Sequence, residues 1–341
     1  MASTIIFPNE AHVIQLYLQH KEIVIIADAR TNGFCLATAC KYIPALQDAR
    51  IITIPAGEEN KNLLTAEWIW MQMQSLHVHK DCVIVNLGGG TVTDIGGFCA
   101  STFMRGIPFI NIPTSLLAMN DAAFGGKTGI NFMDTKNTIG TFANAEYVFI
   151  HPDFLNTLSP KQIANGAAES IKHALIHDKK LWELYKNATD FTHFTNLENI
   201  QQSIAIKNYF VQLDPLDANE RQSLNFGHSI GHAIESISLN SNNILLHGEA
   251  ILLGMLAELQ LSETIYNCPA IVRKDVEALK NRLYPTVKFT FSKSEILEKL
   301  LFDKKNTDTI NFSLLKNIAA PMVKTKVSKE QVLQALSIFD A

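Results

Sequence analysis

The chain has 341 residues, of which 47% are hydrophobic and 18% charged, and its formal net charge is −4. This length predicts one large or two ordinary domains with a sizeable core. The slightly acidic balance gives no reason to expect a nucleic acid partner, because binding to a phosphate backbone calls for a basic surface.

The cysteines and the apolar runs favour a cytoplasmic protein. None of the five cysteines forms a Cys-x-x-Cys pair, so we expect reduced, mostly buried thiols and no cysteine–zinc site. No apolar run approaches the roughly 20 residues that a membrane span requires. The first ten residues lack the pattern of a signal peptide. We therefore predict cytoplasmic localisation and no membrane partner.

The first half of the chain alternates short apolar runs with helical patterns. The helical patterns cover 63–76 and 91–104. Strands separated by helices in this rhythm predict a parallel sheet with helices on both faces. The apolar runs that predict strands are 22–28, 50–54, 81–87, 107–112 and 146–150.

After about Pro152 the pattern becomes mainly helical. Strand-like alternation returns near 309–323, and an amphipathic helix is predicted from Ser328. The change predicts an α/β half and a mainly helical half with a cleft between them, since ligands usually bind at domain junctions and at the carboxyl ends of strands. The predicted helices are 159–177, 197–213, 224–239, 248–266 and 271–283.

A glycine run follows the third predicted strand and opens a predicted helix at 88–90. Backbone N–H groups in such a turn bind an anion, typically the pyrophosphate of a dinucleotide. The standard Gly-x-Gly-x-x-Gly pattern is absent, so a tight turn without a ligand is the alternative. Glu58 and Lys61 after the second strand, and Asp94 in the helix, favour the dinucleotide, because acidic groups there commonly bind ribose hydroxyls.

Three histidines suggest a metal site. His228 and His232 are four residues apart and would leave one face of a helix, and His247 opens the next helical run. Imidazoles from neighbouring helices commonly bind a divalent ion such as zinc, although hydrogen-bonded polar residues are the alternative. Glycines beside these histidines favour close packing of helices; they are Gly227, Gly231 and Gly248.

Glu169 is the candidate for a third ligand. A glutamate among small residues in an otherwise apolar helix is hard to bury unless it is paired or binds a cation. Lys172 lies on the same helical face, so a surface glutamate–lysine pair is the alternative. Further polar residues would each be ordinary surface residues alone, but together they suit a substrate with phosphate and carboxylate groups. They are Asp121, Lys127, Lys136, Asn137, Lys207, Arg221 and Asn225.

Ten short motifs, in order from about residue 50 to 320, resemble those of the 3-dehydroquinate synthase family. They are Gly-Gly-Gly-Thr-Val-Thr-Asp (88–94), Arg105-Gly, Pro-Thr-Ser-Leu-Leu (113–117), Gly-Gly-Lys-Thr (125–128), Lys136-Asn137, Glu169-x-x-Lys172, Leu-Asn-Phe-Gly-His (224–228), Gly-His-Ala-Ile-Glu (231–235), His-Gly-Glu-Ala (247–250) and Asp-Lys-Lys (303–305). The resemblance implies a Rossmann-like NAD-binding domain at 1–157 and a helical metal- and substrate-binding domain at 158–341. It also implies NAD and a divalent metal, zinc or cobalt, as cofactors.

The resemblance assigns roles to individual residues. Glu169, His228 and His247 would bind the metal, which leaves His232 as a substrate or proton-relay residue. The implied substrate contacts are Asp121, Lys127, Asn137, Lys172, Lys207, Arg221, Asn225 and a lysine of the pair Lys304 and Lys305. The implied NAD contacts are Gly88, Gly89, Gly90, Thr91, Val92, Thr93, Asp94, Thr114, Ser115, Lys127, Lys136, Phe154, Leu155, Asn156 and Thr157, with Glu58 and Lys61 beside them. Arg105 matches a residue that reaches into the neighbouring subunit, which implies a homodimer.

The activity implied by the resemblance is the conversion of 3-deoxy-D-arabino-heptulosonate 7-phosphate to 3-dehydroquinate with release of phosphate, a step of the shikimate pathway. In that reaction NAD takes a hydride, phosphate is eliminated, and the hydride is returned, so the enzyme is a lyase. One alternative is another sugar-phosphate cyclase, although Arg221 and Lys207 would then lack an anionic partner. The other is a metal-dependent polyol dehydrogenase, which would release NADH.

Overall fold

The computed structural model describes residues 3–133, 135–239, 241, 243–302 and 309–340. The Asp-Lys-Lys motif at 303–305, with Lys304 and Lys305, lies outside these residues. Contacts between Cα atoms divide the chain into two compact units, Met1–Ser159 and Pro160–Ala341. This division falls after Ser159. The domain boundary after Thr157 that the resemblance implies stays a prediction.

The first unit contains a six-stranded sheet in which every strand pair is parallel, in the order β1-β8-β5-β4-β2-β3. The predicted parallel sheet is thus confirmed, and its short first strand was not predicted. Strands β6 and β7 form a separate antiparallel hairpin in the glycine-rich segment. The strands are β1 Thr4–Ile6, β2 Ile23–Asp28, β3 Arg50–Ile54, β4 Val83–Gly88, β5 Phe109–Pro113, β6 Lys127–Phe132, β7 Thr135–Phe142 and β8 Tyr147–Phe149.

Four α-helices lie in the described part of this unit, and two of them lacked a clear sequence signal. They are α1 Ala11–Leu18, α2 Ala29–Tyr42, α3 Leu63–Ser75 and α4 Gly90–Thr102. Helix α2 was missed because its apolar pattern is weak and it contains Gly33. It begins at a clear cap, since the Asp28 carboxylate accepts hydrogen bonds from the N–H groups of Arg30 and Thr31 at 2.9 Å each.

The second unit is mainly helical, as predicted, with one antiparallel hairpin. Helix α10 is its centre, because it is buried around most of its circumference and contacts α5, α9, α11, α13 and the hairpin. The elements are α5 Pro160–His177, α6 Lys179–Lys186, α7 Thr192–Thr195, α8 Leu197–Leu213, α9 His228–Ser238, α10 His247–Tyr266, α11 Ala270–Leu283, α12 Lys293–Phe302, β9 Thr309–Asn317, β10 Ala320–Ser328 and α13 Lys329–Leu336.

The predicted helix at 224–239 is wrong at its start. A short 3-10 helix covers Glu220–Asn225, and α9 begins only at His228. Gly227 lies between them with a φ of 81°, in the left-handed region that favours glycine. The chain therefore turns sharply just before the first histidine. Among the described residues, no helix is both long enough and apolar enough to cross a membrane.

Candidate functional site

Strand β4 leads directly into the glycine turn at the start of α4. A Cβ atom on Gly88 would lie 2.5 Å from Cβ of Val92, and one on Gly90 would lie 3.2 Å from Cβ of Ala122. The Thr114 N–H group donates to the Gly88 carbonyl at 2.9 Å, which holds the turn beside the end of β5. The first N–H groups of a helix have no partner within the helix. This turn therefore fits an anion such as a pyrophosphate.

Two further glycines bring α4 close to its neighbours. A Cβ atom on Gly96 would lie 2.0 Å from Oδ1 of Asn86 in the sheet, and one on Gly97 would lie 2.7 Å from Cγ2 of Thr128 in the hairpin. Any larger residue would push the helix away from both. The glycines thus fix the helix start relative to the carboxyl ends of β4 and β5.

An ion-pair cluster unites four of the predicted nucleotide-binding residues. The buried Lys61 ammonium lies 2.8 Å from Glu58 and 3.0 Å from Asp94, and the Thr91 hydroxyl donates to Glu58 at 2.8 Å. Burial raises the pKa of the Asp94 carboxyl to about 6, although the Lys61 ammonium opposes the shift. For Glu58, burial would also raise the pKa, but Lys61 lowers it below its usual range. Carboxylates at this edge can accept hydrogen bonds from ribose hydroxyls.

The predicted contacts from the end of β5 and from 154–157 lie near each other. Burial raises the pKa of the Cys35 thiol, while its hydrogen bonds with Thr157 and Thr114 lower it, so this thiol links both segments. Phe154 and Leu155 are buried in a 3-10 helix, Pro152–Thr157. In these two segments Ser115 is half-buried and Asn156 is exposed. In the glycine turn and α4, Val92 and Thr93 are buried and Gly89 is half-buried.

The hairpin β6–β7 carries three predicted residues, Lys127, Lys136 and Asn137, all of them exposed. Asn131, which the sequence did not single out, ties this hairpin to the ion-pair cluster. Its N–H donates to the Lys61 carbonyl at 2.7 Å, and its side-chain amide donates to Glu58 at 3.0 Å. Its Oδ1 accepts the N–H of Asn137 at 3.0 Å. Only its place in a glycine-rich segment hinted at this role.

Two more predicted residues lie in tight turns of the first unit. Asp121 is half-buried in the π-helical turn Ala118–Ala122, between β5 and β6. Arg105 is exposed just after α4, with a φ of 64°, between Met104 at 50° and Gly106 at 111°. Consecutive left-handed residues outside glycine are costly and cluster at functional positions.

In the second unit, three helices bring together Glu169, His228 and His247. Oε1 of the fully buried Glu169 lies 3.5 Å from Nε2 of His228 and 3.5 Å from Nε2 of His247. Ligand atoms bonded to a tetrahedral zinc ion at about 2.0–2.2 Å lie roughly 3.4 Å from one another. The three side chains therefore fit a divalent metal ion.

Hydrogen bonds orient both imidazoles with Nε2 towards Glu169. Nδ1 of His228 lies 3.2 Å from the Phe226 carbonyl, and Nδ1 of His247 lies 3.2 Å from Glu235 Oε2. Because a carbonyl and a carboxylate only accept, each Nδ1 carries a proton, which leaves Nε2 as the ring nitrogen that would bind an ion. Glu235 was not predicted, although it ends the Gly-His-Ala-Ile-Glu motif. A carboxylate in this position commonly orients a histidine that binds a metal.

The glycines beside the histidines mark close helix contacts, as predicted. A Cβ atom on Gly248 would lie 2.0 Å from the Asn165 carbonyl oxygen of α5, and the Gly248 N–H donates to Asn165 Oδ1 at 2.6 Å. A Cβ atom on Gly231 would lie 2.7 Å from Cδ1 of Ile251 in α10. Close packing against α5 and α9 places the start of α10, with His247, beside Glu169.

The alternative of a surface pair between Glu169 and Lys172 is wrong, because the side chains are 0% and 1% exposed. Burial would raise the pKa of Glu169, but the Lys172 ammonium in contact with Oε2 and the two histidines hold it well below its usual range. Burial and Lys172 hold the pKa of His228 well below its usual range. For His247 burial would lower the pKa, yet Glu169 and Glu235 raise it to about 9. The Glu169 and Glu235 carboxylates thus favour a positive charge on or beside the His247 imidazole.

His232 lies on the more open side of this group. Its ring nitrogen is within 4.8 Å of those of His228 and His247, but its side chain is exposed. His232 lies one turn after His228 on the same face of α9, which is why the sequence pattern paired the two histidines. Its role as a substrate or proton-relay residue stays a prediction.

Two predicted substrate residues are buried, so the alternative that they are ordinary surface residues is wrong. Lys207 on α8 is 5% exposed and Arg221 is 4% exposed. Nη1 of the Arg221 guanidinium donates to the Pro215 carbonyl at 3.0 Å, and the backbone N–H of Arg221 donates to Asp214 at 3.4 Å. Asn225 ends the same 3-10 helix and is exposed.

A second group of metal-binding side chain types, Glu22, His79 and Cys82, lies at the opposite end of β4. Oε2 of Glu22 is 3.7 Å from Nε2 of His79 and 3.7 Å from the Cys82 sulfur. The same oxygen lies 2.8 Å from the Arg50 guanidinium. We therefore interpret Glu22 as the ion-pair partner of Arg50 and not as a metal ligand.

Comparison with known proteins places both units in one family. The N-terminal domain model of 3-dehydroquinate synthase matches residues 51–165, and its C-terminal domain model matches residues 166–306. The 3-dehydroquinate synthase of Parabacteroides distasonis is 38% identical over 330 residues, which cover 94% of this chain and 92% of that protein. The 3-dehydroquinate synthase of Clostridium tetani is 40% identical over 285 residues, or 82% and 76% of the two chains.

A solved structure similar in fold is a 2-epi-5-epi-valiolone synthase from Streptomyces hygroscopicus with NAD+ and Zn2+ bound. It is 24% identical, has a TM-score of 0.87, and the match covers 100% of this chain and 97% of that one. At this identity the match shows the shared fold and no more.

Proposed function

The chain belongs to the 3-dehydroquinate synthase family, its activity is that of this family, and we propose how its own residues carry out the reaction. The substrate is 3-deoxy-D-arabino-heptulosonate 7-phosphate and the products are 3-dehydroquinate and phosphate. Phosphate leaves by elimination and no net oxidation remains in the product, so we assign the enzyme to the carbon–oxygen lyases. Cytoplasmic localisation and an active site between the two domains stay predictions.

The cofactors are NAD and a divalent ion, zinc or cobalt. When bound, NAD supplies a reversible hydride acceptor and the ion supplies a Lewis acid for the oxygens of the substrate. We assign the ion to Glu169 Oε1 and to Nε2 of His228 and His247, supported by the two separations of 3.5 Å. That convergence is the observation that carries the proposal. The glycine turn at 88–90, with Glu58 and Lys61, would bind the pyrophosphate and ribose.

The remaining residues would hold the two anionic ends of the substrate. The Arg221 guanidinium suits the carboxylate, because its planar fork donates two parallel hydrogen bonds, and Lys207 would add charge nearby. Lys127 and Asn137 of the hairpin suit the phosphate, and so does the Lys304–Lys305 pair. Lys172, in contact with Glu169, would balance the charge of that buried carboxylate when no ion is bound. His232 would move a proton at the open side of the site.

The function is tested by phosphate release with a trace of NAD. One equivalent of NAD per hundred of substrate should support release of phosphate from all of it, with no lasting NADH absorbance. The same assay with a seven-carbon substrate that lacks the carboxylate should be slower, because Arg221 would lose its partner. Stoichiometric NADH without phosphate would establish the polyol dehydrogenase alternative instead.

We also propose a homodimer in which Arg105 acts in the site of the partner subunit. The exposed, left-handed position of this arginine after α4 supports the proposal. Arg105→Ala should lower kcat/KM by about a hundredfold, the cost of a lost charged contact, while the thermal unfolding midpoint stays within about 2 °C. Arg30→Ala, which removes another exposed arginine of this unit, serves as the control. Full activity of a monomer in sedimentation at assay concentration would contradict the proposal.

A further inference from the structure

A buried carboxylate on α10, Glu258, contacts the start of α9. Its side chain is 0% exposed. Oε2 accepts the N–H of Gly227 at 2.6 Å, and Oε1 accepts the N–H of Ile230 at 3.1 Å. Both oxygens therefore bind the backbone on either side of His228.

These N–H groups lie at the amino end of α9, where they have no partner within the helix. A side-chain acceptor there usually comes from the cap residue itself, but the cap here is Gly227, which has no side chain. Glu258 takes over that role from the neighbouring helix, because its two oxygens accept these two N–H groups. Burial raises the pKa of its carboxyl to about 8, and the backbone N–H groups oppose that shift.

Helix α10 is shaped to receive this turn. One turn before Glu258, a Cβ atom on Gly254 would lie 2.1 Å from the Gly227 carbonyl oxygen. The glycine therefore lets the backbone before His228 lie directly against α10. The same helix begins with His247. A single rigid element thus carries one proposed metal ligand and fixes the backbone of another.

We propose that Glu258 is a positioning residue of the metal centre. It fixes the start of α9 so that Nε2 of His228 stays 3.5 Å from Oε1 of Glu169. The proposal rests on the metal ligands assigned under the proposed function. Glu258 acts through the backbone, because it accepts the N–H groups of Gly227 and Ile230 and does not need to touch the ion.

The test compares zinc binding by Glu258→Ala, Glu258→Gln and the unaltered protein. The zinc Kd is measured by competition with a chromogenic chelator, and thermal unfolding is followed without metal and with saturating zinc. We expect Glu258→Ala to raise the Kd by at least about tenfold, as loss of an outer contact commonly does. Glu258→Gln keeps the side-chain volume and one acceptor oxygen, so its Kd should lie between those of the unaltered protein and Glu258→Ala. The upward shift of the unfolding midpoint by a fixed zinc concentration should shrink in the same order.

Glu263→Gln is the matched control, because it removes a carboxylate of the same helix whose ion-pair partner is Arg273, at 2.8 Å. It should keep the zinc Kd of the unaltered protein. A lower metal-free midpoint in Glu258→Ala with an unchanged Kd would show a purely structural role and overturn the proposal. If the alanine variant does not fold, the Kd of Glu258→Gln decides between the same two outcomes. Failure of the unaltered protein to bind zinc would instead refute the ligand assignment itself.

Discussion

Replacement of His247 by alanine is expected to remove the metal ion and nearly all activity. The unaltered protein should carry about one divalent ion per chain, and the variant none, since only Glu169 and His228 would remain as ligands. Loss of the Lewis acid should lower kcat by at least about a thousandfold, equivalent to about 4 kcal/mol of transition-state stabilisation. Metal content is measured by elemental analysis after equilibrium dialysis against a fixed concentration of zinc, and activity by phosphate release.

Two other histidines make this test specific. His177→Ala removes an imidazole at the end of α5 that packs on Tyr209, and it should keep metal and activity. His232→Ala should keep the metal but lose activity, because we assign His232 to proton transfer and not to the ion. If His232→Ala lost the ion while Glu169→Gln kept it, the ligands would be the three histidines, and the assignment of Glu169 would be wrong.

Replacement of Lys172 by methionine is expected to have opposite effects on folding and on metal affinity. In the metal-free protein it leaves the fully buried Glu169 carboxylate without its ammonium partner, which should cost about 3 kcal/mol of unfolding free energy. For a domain of this size the thermal midpoint should fall by roughly 6–12 °C. Zinc affinity should rise, because a positive charge beside the ion has been removed. Zinc should therefore restore most of the lost stability.

The chain offers a closely matched control for this variant. Lys186 and Glu183 have the same spacing and pair at 2.8 Å, but their side chains are 26% and 60% exposed. Lys186→Met should leave the unfolding midpoint and the zinc Kd unchanged, since exposed pairs of this kind contribute little. Equal loss of stability with and without zinc in Lys172→Met would mean that the ion does not bind at Glu169.

The elements that the sequence predicts well are those whose signal is local. Strand β2 has a continuous apolar run because it lies between neighbours in a parallel sheet, and its interior residues are fully buried. Helix α8 has the bounds that its pattern predicted, Leu197–Leu213, and its N-cap is Asn196. The parallel sheet, the helical second half and the chemical types of the candidate ligands all follow from such patterns.

The features that the sequence did not predict depend on partners far away in the chain. The break before His228 exists because the backbone at Gly227 turns and packs against Gly254 of α10. These two glycines are far apart in the sequence but in contact in the structure. Glu235 and Asn131 gained roles only when His247 and Glu58 were found beside them. The burial of Glu169 and Lys172 was equally undecidable, since a glutamate and a lysine three apart look the same on a surface and in a core.

His228 and His247 are each the first residue of a helix, and this shared position bears on how long an ion stays bound. Each helix start carries roughly half a positive charge, which opposes a cation and favours an anion. Lys172 adds a full positive charge beside Glu169. We therefore expect a fast-exchanging ion, held more weakly than the zinc of a closed four-ligand site. Isotopically labelled zinc should equilibrate with the enzyme within the time of an assay, and cellular supply would then decide which divalent metal occupies it.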